Sequence, residues 1–222
     1  MTTTGSEQTP AWLLHRHAFR NTSLVVDLFL PDKGRVGAVA RGGRRTPALA
    51  PFRPLWVDLK ASAGELFTVR QIEPQGPALP LHGTALYCGF YLNELLMRLL
   101  HRDEPQPDLW YAYQGSLAAL TGDTPLDVTL RRFERVLLDE IGYALVLDHD
   151  ADGQPLDDDG CYQWRPHTGL VSAAEGYPGH LLRALAEDRW DEAVRRIAKP
   201  LFRAALAPYL GDKPLRSREL FR

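Results

Sequence analysis

The stretch Lys33–Val57, KGRVGAVARGGRRTPALAPFRPLWV, holds six basic side chains (Lys33, Arg35, Arg41, Arg44, Arg45 and Arg53) and no Asp or Glu. Its first part alternates. Val36, Ala38 and Ala40 fall on one side and Arg35, Val39 and Arg41 on the other, the period-two pattern of a half-buried strand. Gly42 and Gly43 let the backbone turn where a side chain would obstruct it. Arg44 and Arg45 sit on that turn, and Leu55–Val57 begins another strand. A strand and loop that carry guanidinium groups, with no acid nearby to neutralise them, suit a phosphate backbone. A solvated basic loop that only aids solubility is the simpler alternative.

Strands are expected on either side of this stretch: Ala11–His17 and Thr22–Leu30 before it, and Leu55–Ala61 and Glu65–Glu73 at its end and beyond. In Thr22–Leu30 the residues Leu24, Val26, Leu28 and Leu30 share one face, and Pro31-Asp32-Lys33-Gly34 is a turn by composition. Five short strands with a basic face fit a small closed barrel. The OB-fold is the five-stranded barrel that commonly binds oligonucleotides, although an SH3-like barrel has the same local pattern. Pro74–Pro80 reads as a linker, and beyond it the period changes to that of helices. The class is therefore α+β: a barrel domain over 1–76 and a mainly helical domain over 81–222.

The helical part begins with Thr84–His101, apolar almost all round and expected in the middle of a bundle. Asp108–Leu120 follows. A third helix, capped by Thr124 with Pro125 at its first position, runs to about Ile141 and ends at Gly142. Its expected core face is Leu126, Leu130, Phe133, Leu137 and Ile141, with Arg131, Arg132 and Arg135 on another flank. Residues 148–175 break the pattern with six aspartates and then CYQWRPHTGLVS, a hairpin or insertion. Pro178–Glu187 and Asp191–Leu210 are the last helices.

Net charge is −2. Residues 1–80 hold 10 Lys/Arg against 6 Asp/Glu, whereas 81–222 hold 16 against 22. Only the front is placed to meet a polyanion. The opening MTTTGSEQTP has no apolar core, so no signal peptide is expected, and no run approaches the ~20 apolar residues of a membrane span. Cys88 and Cys161 lie far apart, which points to free thiols in a reducing cytoplasm.

Catalytic signatures are missing: no GxSxG, HExxH or P-loop occurs. Asp148–Asp159 imitates the first half of a calcium loop. However, Pro155 stands at position 8 and the shorter Asp159 at position 12, so a solvated acidic loop is the better reading. Cys161 has no partner at zinc-site spacing. Neither metal nor cofactor is expected. Trp12, Phe19, Phe29, Phe52 and Trp56 lie near the basic face and could stack bases, though alternation sends several of them into the core.

The run LHRHAFRNTSLVVDLFLPDKGRVGAVARGGRR (14–45) with PFRPL (51–55) resembles the N-terminal domain of the RecO family of bacterial recombination mediators. The likeness continues through NELLMRLLHRDEPQPDLWYAY (93–113), LRRFERVLLDEIGYAL (130–145) and LAPYLGDKPLRSRELF (206–221), and so covers most of the chain in order. It implies an OB-fold followed by a helical domain. It also implies a non-enzymatic role: binding single- and double-stranded DNA, annealing strands coated by single-strand-binding protein, and loading the RecA recombinase with RecR, in the cytoplasm on the nucleoid. Some members carry four zinc-ligating cysteines where this chain has only Cys161, so it resembles a zinc-free branch. On this reading Arg16, Arg20, Arg35, Arg41, Arg44, Arg45, Arg53 and Lys60 are the candidate DNA contacts. Arg131, Arg132 and Arg135, beside Leu126 and Leu130, are candidates for the acidic C-terminal tail of single-strand-binding protein. The alternatives are an adaptor whose basic barrel docks acidic partners, and a metal-dependent nuclease.

Overall fold

Period-two patterning gives five strands: β1 (Thr9–Phe19), β2 (Ser23–Leu30), β3 (Gly34–Ala40), β4 (Pro54–Lys60) and β5 (Phe67–Pro74). The structure is a computed structural model that describes residues 8–221. The strands close into a barrel in the order β1-β2-β3-β5-β4, with β1 antiparallel to β4 and β3 parallel to β5. This is OB-fold connectivity, and it removes the SH3-like alternative. The interior takes Ala11 and Leu13, then Leu24, Val26, Leu28 and Leu30, then Val36, Ala38 and Ala40, with Leu55 and Val57. Both alternations expected from the sequence are therefore realised. Ala48 and Leu49 close the core from the loop after β3.

The chain divides into two compact units, one of Met1–Asp123 with Pro214–Arg222 and the other of Thr124–Lys213. In the first, α1 (Gly83–Leu99) and α2 (Pro107–Ala119) pack on the outside of the barrel. The all-round apolarity of α1 thus has a different cause from the one expected. It is not the middle of a helical bundle but lies against β1 and the C-terminal 3-10 turn Arg216–Phe221. Asn93 Nδ2 donates to the Leu14 carbonyl at 2.9 Å, and Tyr113 Oη donates to Asn93 Oδ1 at 2.5 Å. Trp110 Nε1 donates to the Phe29 carbonyl. The rings of Trp12 and Phe29 meet Tyr113 edge-on, and Phe52 packs on Phe90. At Gly89 a Cβ would stand 2.8 Å from the Phe52 ring, so that close approach requires glycine. Trp12, Phe29 and Phe52 are consequently core residues rather than base-stacking ones.

One polar cluster fastens helix to barrel. Asp27, 3% exposed on β2, accepts from Arg35 Nε and Nη2 at 3.3 and 3.2 Å and from Arg102 Nη2 at 3.0 Å. Arg35 then donates Nη1 to the Met97 and Leu100 carbonyls, where α1 ends and its last C=O groups lack helical partners. The Arg35 carbonyl accepts from the Asp103 amide. Two glycines make room: at Gly34, φ +64°, a Cβ would overlap the Glu104 carbonyl, and at Gly37 it would meet the Arg102 guanidinium. The C-terminal turn is held similarly. The Glu94 carboxylate accepts from the amides of Arg216 and Ser217 and from Ser217 Oγ. Burial pushes its pKa up, but these hydrogen bonds and Arg98 outweigh it and leave the group below the usual carboxylate range.

The second unit holds α3 (Leu126–Glu140), the hairpin β6 (Cys161–Arg165) and β7 (Gly169–Ser172), the short β8 (Tyr177–Pro178), α4 (Gly179–Ala186) and α5 (Glu192–Leu210). The hairpin falls within the break at 148–175, as expected. The start of α3 differs from expectation. Pro125, extended at ψ 132°, occupies the N-cap position without a side-chain cap, and its carbonyl accepts from the Thr129 amide. Gly142, φ +83°, ends the helix as expected, with the Tyr143 amide returning to the Leu138 carbonyl. The buried seam also turns, taking Val128, Phe133, Leu137 and Leu138 and leaving Leu126, Leu130 and Ile141 half-buried. Glu134 draws it round: the residue is fully buried and paired with Arg131 at 2.5 Å.

Asp27→Ala leaves the largely buried Arg35 without a countercharge and should lower stability by about 3 kcal/mol, read as a fall in the urea midpoint. A midpoint within error of the parent's would show that the cluster does not fasten α1 to the barrel.

Candidate nucleic-acid interface

The strand register gathers most of the candidate basic residues at one end of the barrel, with Lys60 apart from them. His17 pairs with Val25, Val25 with Val39, Val39 with Thr68, and Thr68 with Lys60, one row across the sheet. Beyond that row on one side lie the β1–β2 turn with Arg20 and the loop Arg41–Arg45 after β3, whereas β4, antiparallel to β1, carries Lys60 and the β4–β5 connection off on the other side. Hydrogen bonds tie the first two together. Arg44 donates its amide to the Thr22 carbonyl at 3.2 Å and Nη2 to the Arg20 carbonyl at 3.0 Å. Gly42, φ +69°, starts the 3-10 turn Gly43–Arg45 that carries Arg44 and Arg45. Arg20 itself has φ +51°, unusual for a residue with a side chain. Arg16 reaches the same loop through a hydrogen bond to the Leu49 carbonyl, and Arg53 donates to the Pro47 carbonyl at 3.2 Å.

The guanidinium groups of Arg16, Arg44 and Arg53 bond to backbone carbonyls, not to acids. Among the described residues none of Arg16, Arg20, Arg41, Arg44, Arg45, Arg53 and Lys60 forms an ion pair. The carbonyls fix these three arms while the positive charge stays uncompensated, and Arg16, Arg20, Arg41, Arg44, Arg45 and Lys60 are exposed. Arg35 is the exception among the candidates. Its side chain is only 15% exposed and bound to Asp27, away from this end.

The second unit shows the opposite arrangement. Arg131 pairs with Glu134, Arg132 forks onto both oxygens of Asp188 at 3.0 and 2.7 Å, and Arg195 forks onto Asp127 at 2.8 Å. Arg183, Arg189 and Arg196 pair with Asp158, Glu187 and Glu192. Arg135 donates to the Leu185 and Ala186 carbonyls at the end of α4. The hydrogen bonds from Arg132, helped by Trp190, outweigh partial burial and hold the Asp188 carboxyl below its ordinary range.

The acidic stretch folds on itself. Asp150 Oδ1 accepts from the Asp152 and Gln154 amides, and Asp157 Oδ1 from Asp159. Among the described residues no three His, Cys, Asp or Glu side chains converge as a metal site would require. Cys161 and Cys88 are both free thiols. The residues at this insertion do not fit a zinc ion. No described helix is long and apolar enough to cross a membrane.

Comparison with known proteins assigns both parts. Residues 1–78 match the family described as recombination protein O N terminal, and residues 81–219 match recombination protein O C terminal. The chain belongs to the RecO family. It is 46% identical over 220 residues to the DNA repair protein RecO of Pseudomonas putida strain W619, covering 96% of each chain. It is 40% identical over 228 residues to that of Pseudoalteromonas atlantica, covering 98% of this chain and 95% of the relative. It is likewise 40% identical over 230 residues to that of Halorhodospira halophila, covering 98% and 97%. In this RecO-family chain the N-terminal match spans the whole barrel, including the uncompensated basic end. That end was legible as composition in the sequence. What the sequence concealed was the removal of Arg35 by Asp27 and the tie between the β1–β2 turn and Arg44.

Proposed function

We propose that this chain is a DNA repair protein that binds single- and double-stranded DNA at the basic end of its barrel and anneals complementary strands. One observation carries the reading: cations at this end lack acidic partners, while six of the nine arginines of the second unit have them. A surface that leaves guanidinium groups unneutralised gains the entropy of released counterions when phosphates arrive. Two strands held there repel each other less, so pairing needs no catalytic group. The contacts at this end are Arg16, Arg20, Arg41, Arg44, Arg45 and Arg53, with Lys60 a further contact across the row from them. Arg35 is left out, because moving it would strand a buried carboxylate.

Membership of the RecO family supports the rest of the reading: helping to replace single-strand-binding protein by the RecA recombinase, together with RecR, in recombinational repair in the cytoplasm. We assign the acidic tail of single-strand-binding protein to α3, with Leu126 and Leu130 half-exposed beside the arginines. Arg132 is the one able to exchange partners. Its pair with Asp188 is about half exposed, while Arg131 is held by buried Glu134 and Arg135 by helix-end carbonyls.

Replacing Arg41, Arg44 and Arg45 together by Ala should reduce the slope of log affinity against log salt for a single-stranded oligonucleotide by about 2, at about 0.7 per phosphate contact. An unchanged slope would favour the adaptor reading, in which the basic barrel docks an acidic protein. For a labelled tail peptide, Arg132→Ala should weaken binding roughly tenfold or more, the loss of one charge-assisted hydrogen bond. Asp188→Ala should tighten it by about two- to fivefold, since it removes a competing carboxylate whose exposed pair is worth less than about 1 kcal/mol. If both variants bind like the parent, the tail does not dock at Arg132.

A further inference from the structure

Three flat side chains follow one another on β1 at alternate positions: His15, His17 and Phe19. The strand bulges between Leu13 and His15. After the bulge Arg16 stands opposite Val26 and Ala18 opposite Leu24, both barrel-interior residues, while His15, His17 and Phe19 stand opposite Asp27, Val25 and Ser23. Alternation therefore puts the three rings together on the outer face. His15 and His17 are exposed and Phe19 is half-buried. The two imidazole centroids are 6.2 Å apart, with the planes inclined by 35°. Arg20 extends the row, its guanidinium 5.0 Å from the centre of the Phe19 ring. Asp27, the acid beside His15, is buried and bound by two guanidinium groups, so it presents no bare charge to an anion.

Side chains two residues apart on a strand are about 6.6–6.8 Å apart, twice the ~3.4 Å rise of a nucleic-acid strand. The two imidazole centroids, 6.2 Å apart, come close to that repeat, so bases can lie along the row of rings rather than between them. Arg20 stands at the end of the row, and Arg44 joins the β1–β2 turn to the arginine loop. Aromatic faces next to cations are what a single strand requires, because every base has a face to stack and every link a phosphate to neutralise. In a duplex those faces are already stacked and paired.

We propose that His15, His17 and Phe19 form a stacking platform for unpaired nucleobases, which makes this end of the barrel prefer single strands over duplex. The inference rests on the reading that this end binds DNA. The decisive experiment measures binding of the full chain to a fluorescent single-stranded oligonucleotide and to its duplex, each over a range of salt at one fixed pH. The variants are Phe19→Leu, Phe19→Trp and the double variant His15→Ala/His17→Ala. Phe19→Leu and the double variant should each lose about five- to a hundredfold in single-strand affinity. The salt slope and the duplex affinity should stay at the parent's values, which also shows that the barrel is folded. Phe19→Trp should bind single strands at least as tightly as the parent. Equal losses on single strand and duplex, or no loss on single strand, would overturn the platform while leaving the charge-based reading in place. A parent protein that binds neither form would overturn both.

Discussion

A buried carboxylate on one strand governs how the first unit is put together. Asp27 cannot sit at 3% exposure without countercharge, and it obtains this from Arg35 on the next strand and Arg102 beyond α1. Arg35 uses its remaining donor on the open carbonyls at the end of α1. One guanidinium thereby neutralises the strand's acid and caps the helix. The outer face of β2, with Val25 and Phe29, is buried in consequence. The loops at the opposite end of the barrel are left uncovered, and there the basic residues gather.

The contrast in charge pairing follows from the same economy of contacts. In the second unit the arginines lie on helices beside carboxylates one turn away or on the facing element, so Arg131, Arg132 and Arg195 close fork-like or short pairs. The stretch from Lys33 to Val57 has no acid of its own. The nearest polar groups on its loop are backbone carbonyls, which orient a guanidinium but leave its charge intact. The fold thus separates structural arginines from available ones. The available set spans three connections of the barrel, β1–β2, β3–β4 and β4–β5.

Much of this was legible in the sequence because it is local. The alternation of Leu24–Leu30 and Val36–Ala40, the Pro31–Gly34 turn and the Gly142 stop are read within a few residues of each other. The strand order was not, since the parallel pairing of Ala38 with Phe67 joins segments whose alternation is the same in an OB-fold and an SH3-like barrel. Arg35 has the look of any other basic strand residue until Asp27 and the carbonyls of Met97 and Leu100 are seen around it. The apolar circumference of α1 suggested a bundle because a helix covered by a barrel and a helix covered by helices have the same composition. The seam of α3 turned because buried Glu134 takes a position that hydrophobic periodicity reserves for an apolar residue.

The central claim is that DNA meets this chain at the uncompensated basic end of the barrel. Hydrogen–deuterium exchange with and without a saturating single-stranded oligonucleotide tests it most directly. The account predicts slowed exchange at residues 19–22 and 41–46, with α3 and α4 unchanged. Protection concentrated on the second unit, with those two segments unaffected, would contradict it.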